Sequence, residues 1–507
     1  MTKANRRVDD VYFVSRLALG TLAGAMSYFA YPRPNIWPLI FLSVGLMFFA
    51  VRGTTLPRAA TIGLSGGFAF FAAQCWWISQ YLGPVPLIAL ATSQALFVAL
   101  SFVLFVWLDR RLNARILGAV LFAIVWTARE WVTTHFPYGG FPWSRLAMSQ
   151  AYSPLADWVY FGGFSLLSFV IALSSCLTVV LLPYLFRVAT TTRTVSIMMV
   201  LAIVLFGVPA TAPNNTEGTP FTVAGIQGNA NAGLFANTRP GEILQNHLDV
   251  TEDYLSSNLT EGVQLVVWPE NASDLDPLRN DDVAIRINAL VNEQLGVPLA
   301  LGTLTEVGNS EFNSSLLWKP TVGLADQYDK KRPVPFAEYV PDRDFWYSLA
   351  PDLIGLIYRG YTFGTRDPIF EIDGHPLGVL ICFEIAIDES LEGLVDSGAQ
   401  AILLQSNNAD FGHSDEAYQQ LAVAKLRAIE TGLPLINVST TGPSGIFASD
   451  GKELVEVPAF QPRFFAKTIN LKTSDTPAMG VGRYFDEGIL VLLSLIVLLA
   501  LTRRTRQ

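Results

Sequence analysis

Charge is scarce in this chain, and the shortage is uneven. Asp, Glu, Lys and Arg make up 15 % of 507 residues while hydrophobic residues make up 51 %, where a soluble globular chain carries roughly 25 % charged residues. The charges gather between Glu217 and Asp486, leaving the first 213 residues and the last twenty or so mostly apolar. This excludes an ordinary soluble protein and points to a membrane protein with a large soluble insert. The insert has no basic stripe, and the net charge is −9, which argues against nucleic acid as a partner.

Histidine and cysteine are sparse too. His135, His247, His375 and His413 are the only four imidazoles, none in a nucleophile-like context, so a Ser/His/Asp or Cys/His scheme fits poorly. Of the three cysteines, Cys75 and Cys176 lie inside long apolar runs. Cys382 is thus left without a disulfide partner in its own region, and no spacing resembles a Cys/His metal site. Internal repeats and low-complexity tracts are missing as well.

Long apolar runs are what the chain has. Spans fit at about 17–31, 36–51, 59–81, 86–108, 115–133, 162–186 and 194–210, with a last one at 487–502, each near the roughly 20 residues a helix needs to cross a bilayer. The first follows a short basic lead with Lys3, Arg6 and Arg7 and shows no small-residue cleavage site, so it reads as a retained helix. Loop arginines fall in groups: Arg52 and Arg58; Arg110, Arg111 and Arg115; Arg187 and Arg193; and Arg503, Arg504 and Arg506 in the tail. With the N-terminus inside, all lie on the cytoplasmic face, as the positive-inside rule requires. The expected organisation is a membrane domain of seven helices over 1–213, an extracytoplasmic domain over 218–485, and a C-terminal helix with a cytoplasmic tail over 487–507. The loop 134–161, outside in this scheme, has Arg145 as its only basic Lys or Arg. Its run His135-Phe136-Pro137-Tyr138-Gly139-Gly140-Phe141-Pro142-Trp143 suits an interfacial aromatic belt with turns as well as a ligand contact.

Inside the insert, short apolar or β-branched runs at 221–227, 263–268, 298–302, 315–318, 378–382, 401–405 and 434–438 read as strands. Helical patterns occupy 242–259, 281–295, 387–397 and 415–430. Alternation of this kind predicts a two-layered α/β domain. Three polar groups stand at strand ends or just after them: Glu270 in Trp268-Pro269-Glu270, Lys330 in Tyr328-Asp329-Lys330, and Cys382 closing its strand. Each alone suits a bland role: a solvated carboxylate, a basic patch with Lys331 and Arg332, a buried small hydrophobe. Together they compose an acyl-transfer site. A thiol is a poor nucleophile until deprotonated, and a carboxylate in a partly desolvated cleft can take its proton. Glu270 would be the general base. Lys330 and the backbone N–H following Cys382 would stabilise the oxyanion formed when the thiolate attacks an acyl carbon.

These motifs, with Pro335-Phe336-Ala337-Glu338-Tyr339-Val340-Pro341 and Ile381-Cys382-Phe383-Glu384, resemble in order and spacing the Glu-Lys-Cys signature of the carbon–nitrogen hydrolase (nitrilase) superfamily. Within it, the proline-flanked Glu338 run and the spans on both sides are similar to the apolipoprotein N-acyltransferases. So are Gly140-Phe141-Pro142-Trp143 and Arg427-Ala428-Ile429-Glu430-Thr431-Gly432-Leu433-Pro434, and the resemblance covers nearly the whole chain. It implies a polytopic helical membrane domain joined to an α-β-β-α sandwich, with Glu270, Lys330 and Cys382 catalytic. It implies accessory places for Glu338 and Glu384, whose carboxylates would orient the lysine and shape the cleft, and for Phe383. The implied reaction moves a fatty acyl chain from a phospholipid, through a Cys382 thioester, to the α-amine of the N-terminal diacylglyceryl-cysteine of an apolipoprotein, in a bacterial cell membrane and without metal or organic cofactor. The chain departs from the family pattern at Phe383, often Tyr; at Asp410, usually Trp; and after the first strand, where Phe235 is the nearest aromatic to a missing Trp.

The segment 344–358 is apolar and aromatic but broken by Pro351 and Gly355. It reads either as buried core or as a flap carrying Phe345, Trp346, Leu353, Ile354 and Ile357 into the outer leaflet. A membrane-anchored amidase or nitrilase acting on a small amide or nitrile would use the same triad, but would not need such a flap. A transporter or receptor fits less well, because Arg129 and Glu130 near an outer helix end form no proton-relay series.

Overall fold

A computed structural model describes residues 3–113, 117–187, 191–214, 216–233, 236–237, 239–357 and 360–503. Arg115, Phe235, Arg504 and Arg506, named above, and Tyr358 at the end of the segment 344–358 lie outside the described residues. The chain divides into two compact units, Met1–Ala212 with Pro477–Gln507, and Pro213–Thr476.

The first unit is helical: α1 (Lys3–Met26), α2 (Leu39–Val51), α3 (Leu56–Gln74), α4 (Ile78–Leu82), α5 (Pro84–Leu112), α6 (Leu117–His135), α7 (Trp158–Leu185) and α8 (Thr191–Gly207), with a last helix over Phe485–Thr502. Among the described residues, four segments are long and apolar enough to cross a membrane: Pro84–Leu112, Trp158–Leu185, Thr191–Thr211 and Gly482–Thr502. The predicted span 59–81 is interrupted where α3 ends at Gln74 and a turn leads into α4. Arg129 and Glu130 sit inside α6, not at a solvated end, and both are buried. Glu130 Oε1 accepts from Trp126 Nε1 (3.0 Å) and from the Leu146 backbone N–H (3.1 Å), which fastens the loop after α6 to the helix. In that loop Trp143 is buried against Trp77, ring centroids 5.9 Å apart, while Phe136 stays exposed.

The second unit is a sandwich of two six-stranded sheets. Its strands are β1 (Thr219–Gln227), β2 (Leu265–Val267), β3 (Leu299–Val307), β4 (Ser310–Lys319), β5 (Gly323–Asp329), β6 (Ile369–Ile372), β7 (His375–Ile381), β8 (Ile402–Ser406), β9 (Leu435–Ser439), β10 (Ser444–Phe447), β11 (Glu453–Val457) and β12 (Arg463–Leu471). One sheet runs β12-β1-β2-β3-β4-β5 and the other β11-β10-β9-β8-β7-β6. Helices α9 (Glu242–Leu255), α10 (Asp281–Ala289), α11 (Arg343–Leu349), α12 (Pro351–Ile354), α13 (Asp388–Asp396) and α14 (Glu416–Thr431) complete it. The period of two along each strand explains the layering. In β1 and β2, Phe221, Val223, Leu265 and Val267 face the second sheet and meet Val379, Ile381, Leu403 and Val438 there. The alternate residues Ala224, Ile226 and Val266 face outward onto Leu244, Val250 and Ile287 of α9 and α10. Each central strand is therefore apolar on both faces, as a sheet covered by helices requires. This is the α-β-β-α sandwich that the sequence led us to expect.

The fold also orients the strand ends. β1, β2 and β3 run parallel, as do β7, β8 and β9. Hydrogen bonds across the sandwich, from Gln405 Nε2 to Trp268 O (2.6 Å) and from Thr440 Oγ1 to Glu270 O (2.8 Å), bring the carboxyl ends of both parallel sets to one end of the unit.

Candidate active site

Each candidate side chain leaves a strand at this end, and its backbone is fixed before the side chain acts. Trp268, fully buried beneath α9, donates from Nε1 to Thr251 Oγ1 (3.1 Å) and anchors the turn into Glu270. The Glu270 loop then crosses β3 at Gly302, where a Cβ would collide with the Pro269 carbonyl oxygen, so only glycine admits this approach. Lys330 follows β5; its N–H donates to Asn313 O (2.8 Å) and its carbonyl accepts from Gly364 N (2.9 Å). Gly364 is equally constrained, because a Cβ there would collide with the Asp329 carbonyl oxygen.

Cys382 takes up a left-handed backbone with φ +54°, directly after β7 and at the start of the 3-10 turn Cys382–Ala386. The predicted strand therefore ends at Ile381, one residue before the thiol. A β-carbon in this region costs about 1–2 kcal/mol. The sharp turn leaves Phe383 N–H in the first turn of a helix, where N–H groups lack intrahelical acceptors. Phe383 itself is half-buried.

The polar groups form one cluster. Lys330, 1 % exposed, places Nζ 2.8 Å from Glu338 Oε1 and 3.7 Å from Glu270 Oε1. Asn313 of β4 lies between the two carboxylates, donating from Nδ2 to Glu270 Oε1 (2.7 Å) and to Glu338 Oε1 (3.1 Å). Glu338 Oε2 accepts from Val334 N (2.7 Å), which holds the carboxylate toward the lysine. Among the described residues the buried Oε2 of Glu270 has no partner at hydrogen-bond geometry, although the Asn407 backbone lies close enough to favour the ionised carboxylate.

Burial decides the protonation states. It pushes Glu270 up from 4.5 to about 7, Lys330 and Asn313 opposing it and the Glu338 charge reinforcing it. For Lys330 burial acts downward, but Glu338, Glu270 and Cys382 outweigh it and the ammonium is held above its ordinary range. The Cys382 thiol is pushed well up by burial and then by Glu270, with Lys330 pulling the other way. Both groups are thus biased toward their protonated forms, the thiol strongly and the carboxyl group to near neutrality.

Glu384 needs a correction. It does not touch the lysine side chain. Fully buried, it accepts from Tyr328 Oη at both oxygens (2.8 and 3.0 Å), from Lys331 N (2.9 Å) and Arg332 N (3.1 Å), and from Ile381 N (3.0 Å). Tyr328, Lys331 and Arg332 flank Lys330 on the first sheet and Ile381 precedes Cys382 on the second, so this carboxyl group clamps the lysine's backbone to the nucleophile's. Sequence reasoning missed Asn313 and gave Tyr328 no role. A lone Asn in a strand carries no motif, although its place on a strand next to that of Lys330 was a usable signal.

The segment 344–357 is mostly exposed. Phe345, Tyr347, Leu349 and Leu356 are exposed, and α11 buries no residue. Trp346 is half-buried, its ring edge-on to Phe336 at 5.3 Å, and Leu353 and Ile357 are half-buried. Ile354 is the exception among the five expected flap residues: it is buried, because the single turn of α12 has one side facing the domain.

Two family matches divide the chain. Residues 23–177 match the apolipoprotein N-acyltransferase N-terminal domain and residues 222–475 match the carbon-nitrogen hydrolase domain. An apolipoprotein N-acyltransferase of Mycolicibacterium smegmatis is 32 % identical over 506 residues, covering 94 % of this chain and 83 % of that protein. One from Pseudomonas aeruginosa is 30 % identical over 467 residues, covering 87 % and 88 %. Among solved structures, an amidase from Nesterenkonia sp. aligns with TM-score 0.40 at 16 % identity, covering 55 % of this chain and 99 % of its own.

Proposed function

The chain belongs to the apolipoprotein N-acyltransferase family, and from that premise we propose how its own residues carry out the transfer. The protein is a bacterial membrane enzyme that moves an acyl group to an amine, with phospholipid and lipoprotein as its substrates. In the proposed first half, Glu270 takes the thiol proton of Cys382 and the thiolate attacks an ester carbonyl of the phospholipid. Lys330 and the Phe383 N–H stabilise the oxyanion. Collapse breaks the ester C–O bond, Glu270 returns the proton to the leaving alkoxide, and a lysophospholipid departs. In the second half, the neutral α-amine of the diacylglyceryl-cysteine attacks the thioester and Glu270 takes an N–H proton. Collapse breaks the C–S bond, and the proton returns to Cys382. An N-acylated lipoprotein leaves.

The observation that carries this reading is the hydrogen-bonded Glu270–Asn313–Glu338–Lys330 cluster with a thiol whose proton affinity responds to both Glu270 and Lys330. Intact-protein mass spectrometry after incubation with phospholipid tests it: the expected product is one acyl adduct, mapped to Cys382. An unmodified protein, or an adduct on another residue, sinks the mechanism.

Segment 344–357 supplies the proposed entry for lipid. Exposed aromatic and aliphatic side chains on two short helices favour an interfacial environment, and a flap of this kind closes over a thioester and limits water's access to it. Replacing Phe345, Trp346, Leu353 and Ile357 together with Ser is expected to slow acyl transfer about 10-fold or more, with the melting temperature in detergent little changed. A variant that loses folded protein while its surviving fraction stays fully active rejects the flap. The Ile354→Ser variant belongs in a separate measurement, since its buried side chain predicts lost stability.

We further propose that residues 218–485 face the outside of the cell membrane, and that 1–213 and 487–507 hold them there. The arginine distribution supports this orientation. A membrane-impermeant protease applied to intact spheroplasts should cleave within 218–485 and spare Arg110 and Arg111. Protection of the insert with cleavage at those arginines reverses the orientation.

A further inference from the structure

One carboxylate at the catalytic end of the sandwich has no part in the chemistry above. Asp410 lies in the 3-10 turn Ala409–Phe411, in the loop leaving the carboxyl end of β8. That strand pairs in parallel with the one delivering Cys382, Ile381 standing opposite Gln405, and the crevice beyond the carboxyl ends of parallel strands is where ligands bind.

The loop is fixed on both sides of Asp410. Ala409 O accepts from Gly233 N (2.7 Å). Asn408 donates to Glu416 Oε2 (2.8 Å) and Gln420 Oε1 (2.7 Å) and accepts from Ser439 Oγ (2.7 Å). The Asp410 carboxylate itself is half-buried and has no hydrogen bond or ion pair among the described residues. The charged group that faces it is another anion, Glu338 from the loop after β5, and burial with that charge pushes Asp410 up to about 6. His413 on its own loop packs its ring on Phe460 instead, centroids 3.9 Å apart.

Among the described residues the ammonium of Lys330 is already engaged by Glu338 and Glu270, and Asp410 is left without a counter-ion. Glu384 is enclosed by its own donors. An unpaired carboxylate attracts a cation, and of the two substrates the acceptor is the one that brings a cation to the reacting atom. We propose that Asp410 receives the α-ammonium of the acyl acceptor and sets the enzyme's selectivity for an N-terminal amine in the second half-reaction. This rests on Cys382 being the acyl carrier. The ammonium must lose one proton before it attacks. That proton passes to the Asp410 carboxylate and from its half-exposed side to water, leaving a neutral amine for the thioester; the second N–H proton goes to Glu270 as described. An α-amine ordinarily titrates at about 7.7–8.0, so carboxylate and ammonium coexist from about pH 6 to about pH 8.

The test follows the two half-reactions separately in the full-length enzyme in detergent, with a phospholipid donor and a synthetic diacylglyceryl-cysteinyl peptide as acceptor. Asp410→Asn should raise the acceptor KM at least about 10-fold. Acyl-Cys382, followed by mass spectrometry, should persist in the presence of acceptor where the wild-type thioester is discharged. The deficit should shrink below pH 6, and Asp410→Glu should restore much of the selectivity. A diacylglyceryl peptide whose α-amine is replaced by hydrogen should compete with acceptor equally well against wild type and Asp410→Asn, since it lacks the recognised group. An unchanged acceptor KM in Asp410→Asn, with acyl-Cys382 forming normally, overturns the assignment. Absence of acyl-Cys382 in the wild-type enzyme overturns the thioester reading beneath it, which is a different result.

Discussion

Cys382→Ala is expected to yield folded, membrane-inserted protein that forms no acyl adduct and loses N-acylation by on the order of 10³-fold or more, as loss of a nucleophile does in other covalent enzymes. Cys382→Ser should behave almost as badly. In this site even the thiol is held well above its ordinary range by burial and the Glu270 charge. A hydroxyl, far less acidic, would not yield its proton to a carboxyl group titrating near 7. Both variants keep the β-carbon and hence the same left-handed backbone at φ +54°, so melting curves in detergent should overlay the wild type. Retained turnover in Cys382→Ala would remove the thioester from the mechanism altogether.

The second large effect concerns the base. Glu270→Gln preserves shape and can still accept a hydrogen bond from Asn313, but it cannot take a proton, and general-base removal typically costs on the order of 10²–10⁴-fold. The pH dependence gives a separate signature. Glu270 works only when ionised, and its titration is raised from 4.5 to about 7. The rate of adduct formation in the wild type should therefore climb as pH rises through about 7, with roughly a tenth of the sites ionised one unit below and roughly nine tenths one unit above. In Glu270→Gln the remaining rate should lack that limb. A variant that acylates Cys382 at the wild-type rate, or keeps the limb, assigns the base to another group.

Much of this was readable from residues alone, and the pattern of success has a physical cause. Central strands such as β1, β8 and β9 are apolar on both faces, so they stand out as continuous runs. The strands that went unread are either short, like β6 and β10, or mix polar residues into their alternation. β5 carries Asp326, Gln327 and Asp329, and β12 sets the exposed Lys467, Thr468 and Asn470 among the buried Phe465, Ile469 and Leu471. Gln327 and Asp329 are buried although Asp326 is exposed: Gln327 Nε2 and, from β4, Ser314 Oγ both donate to Asp329 Oδ1 (2.6 and 2.7 Å), a hydrogen-bonded layer that hydrophobic periodicity cannot signal. Glu270 and Lys330 were legible only in combination with Cys382, since each alone suits a bland role and the strand before Lys330 carries no apolar run. Glu384 was legible as important but not in its role, since spacing along the chain does not reveal that one carboxyl group reaches four donors across the two sheets.

That clamp has a consequence in time. Glu270 and Lys330 follow strands of one sheet and Cys382 follows a strand of the other, and Glu384 reaches its donors on both sides only when the two sheets have docked. Parallel pairings of distant segments, such as β2 with β3 and β8 with β9, form late because their loops must close first. A half-folded chain therefore holds a base and an ammonium without a nucleophile, or a thiol with nothing to ionise it. On the proposed mechanism, copies in which the sheets have not docked could not strip acyl chains from the membrane that surrounds them.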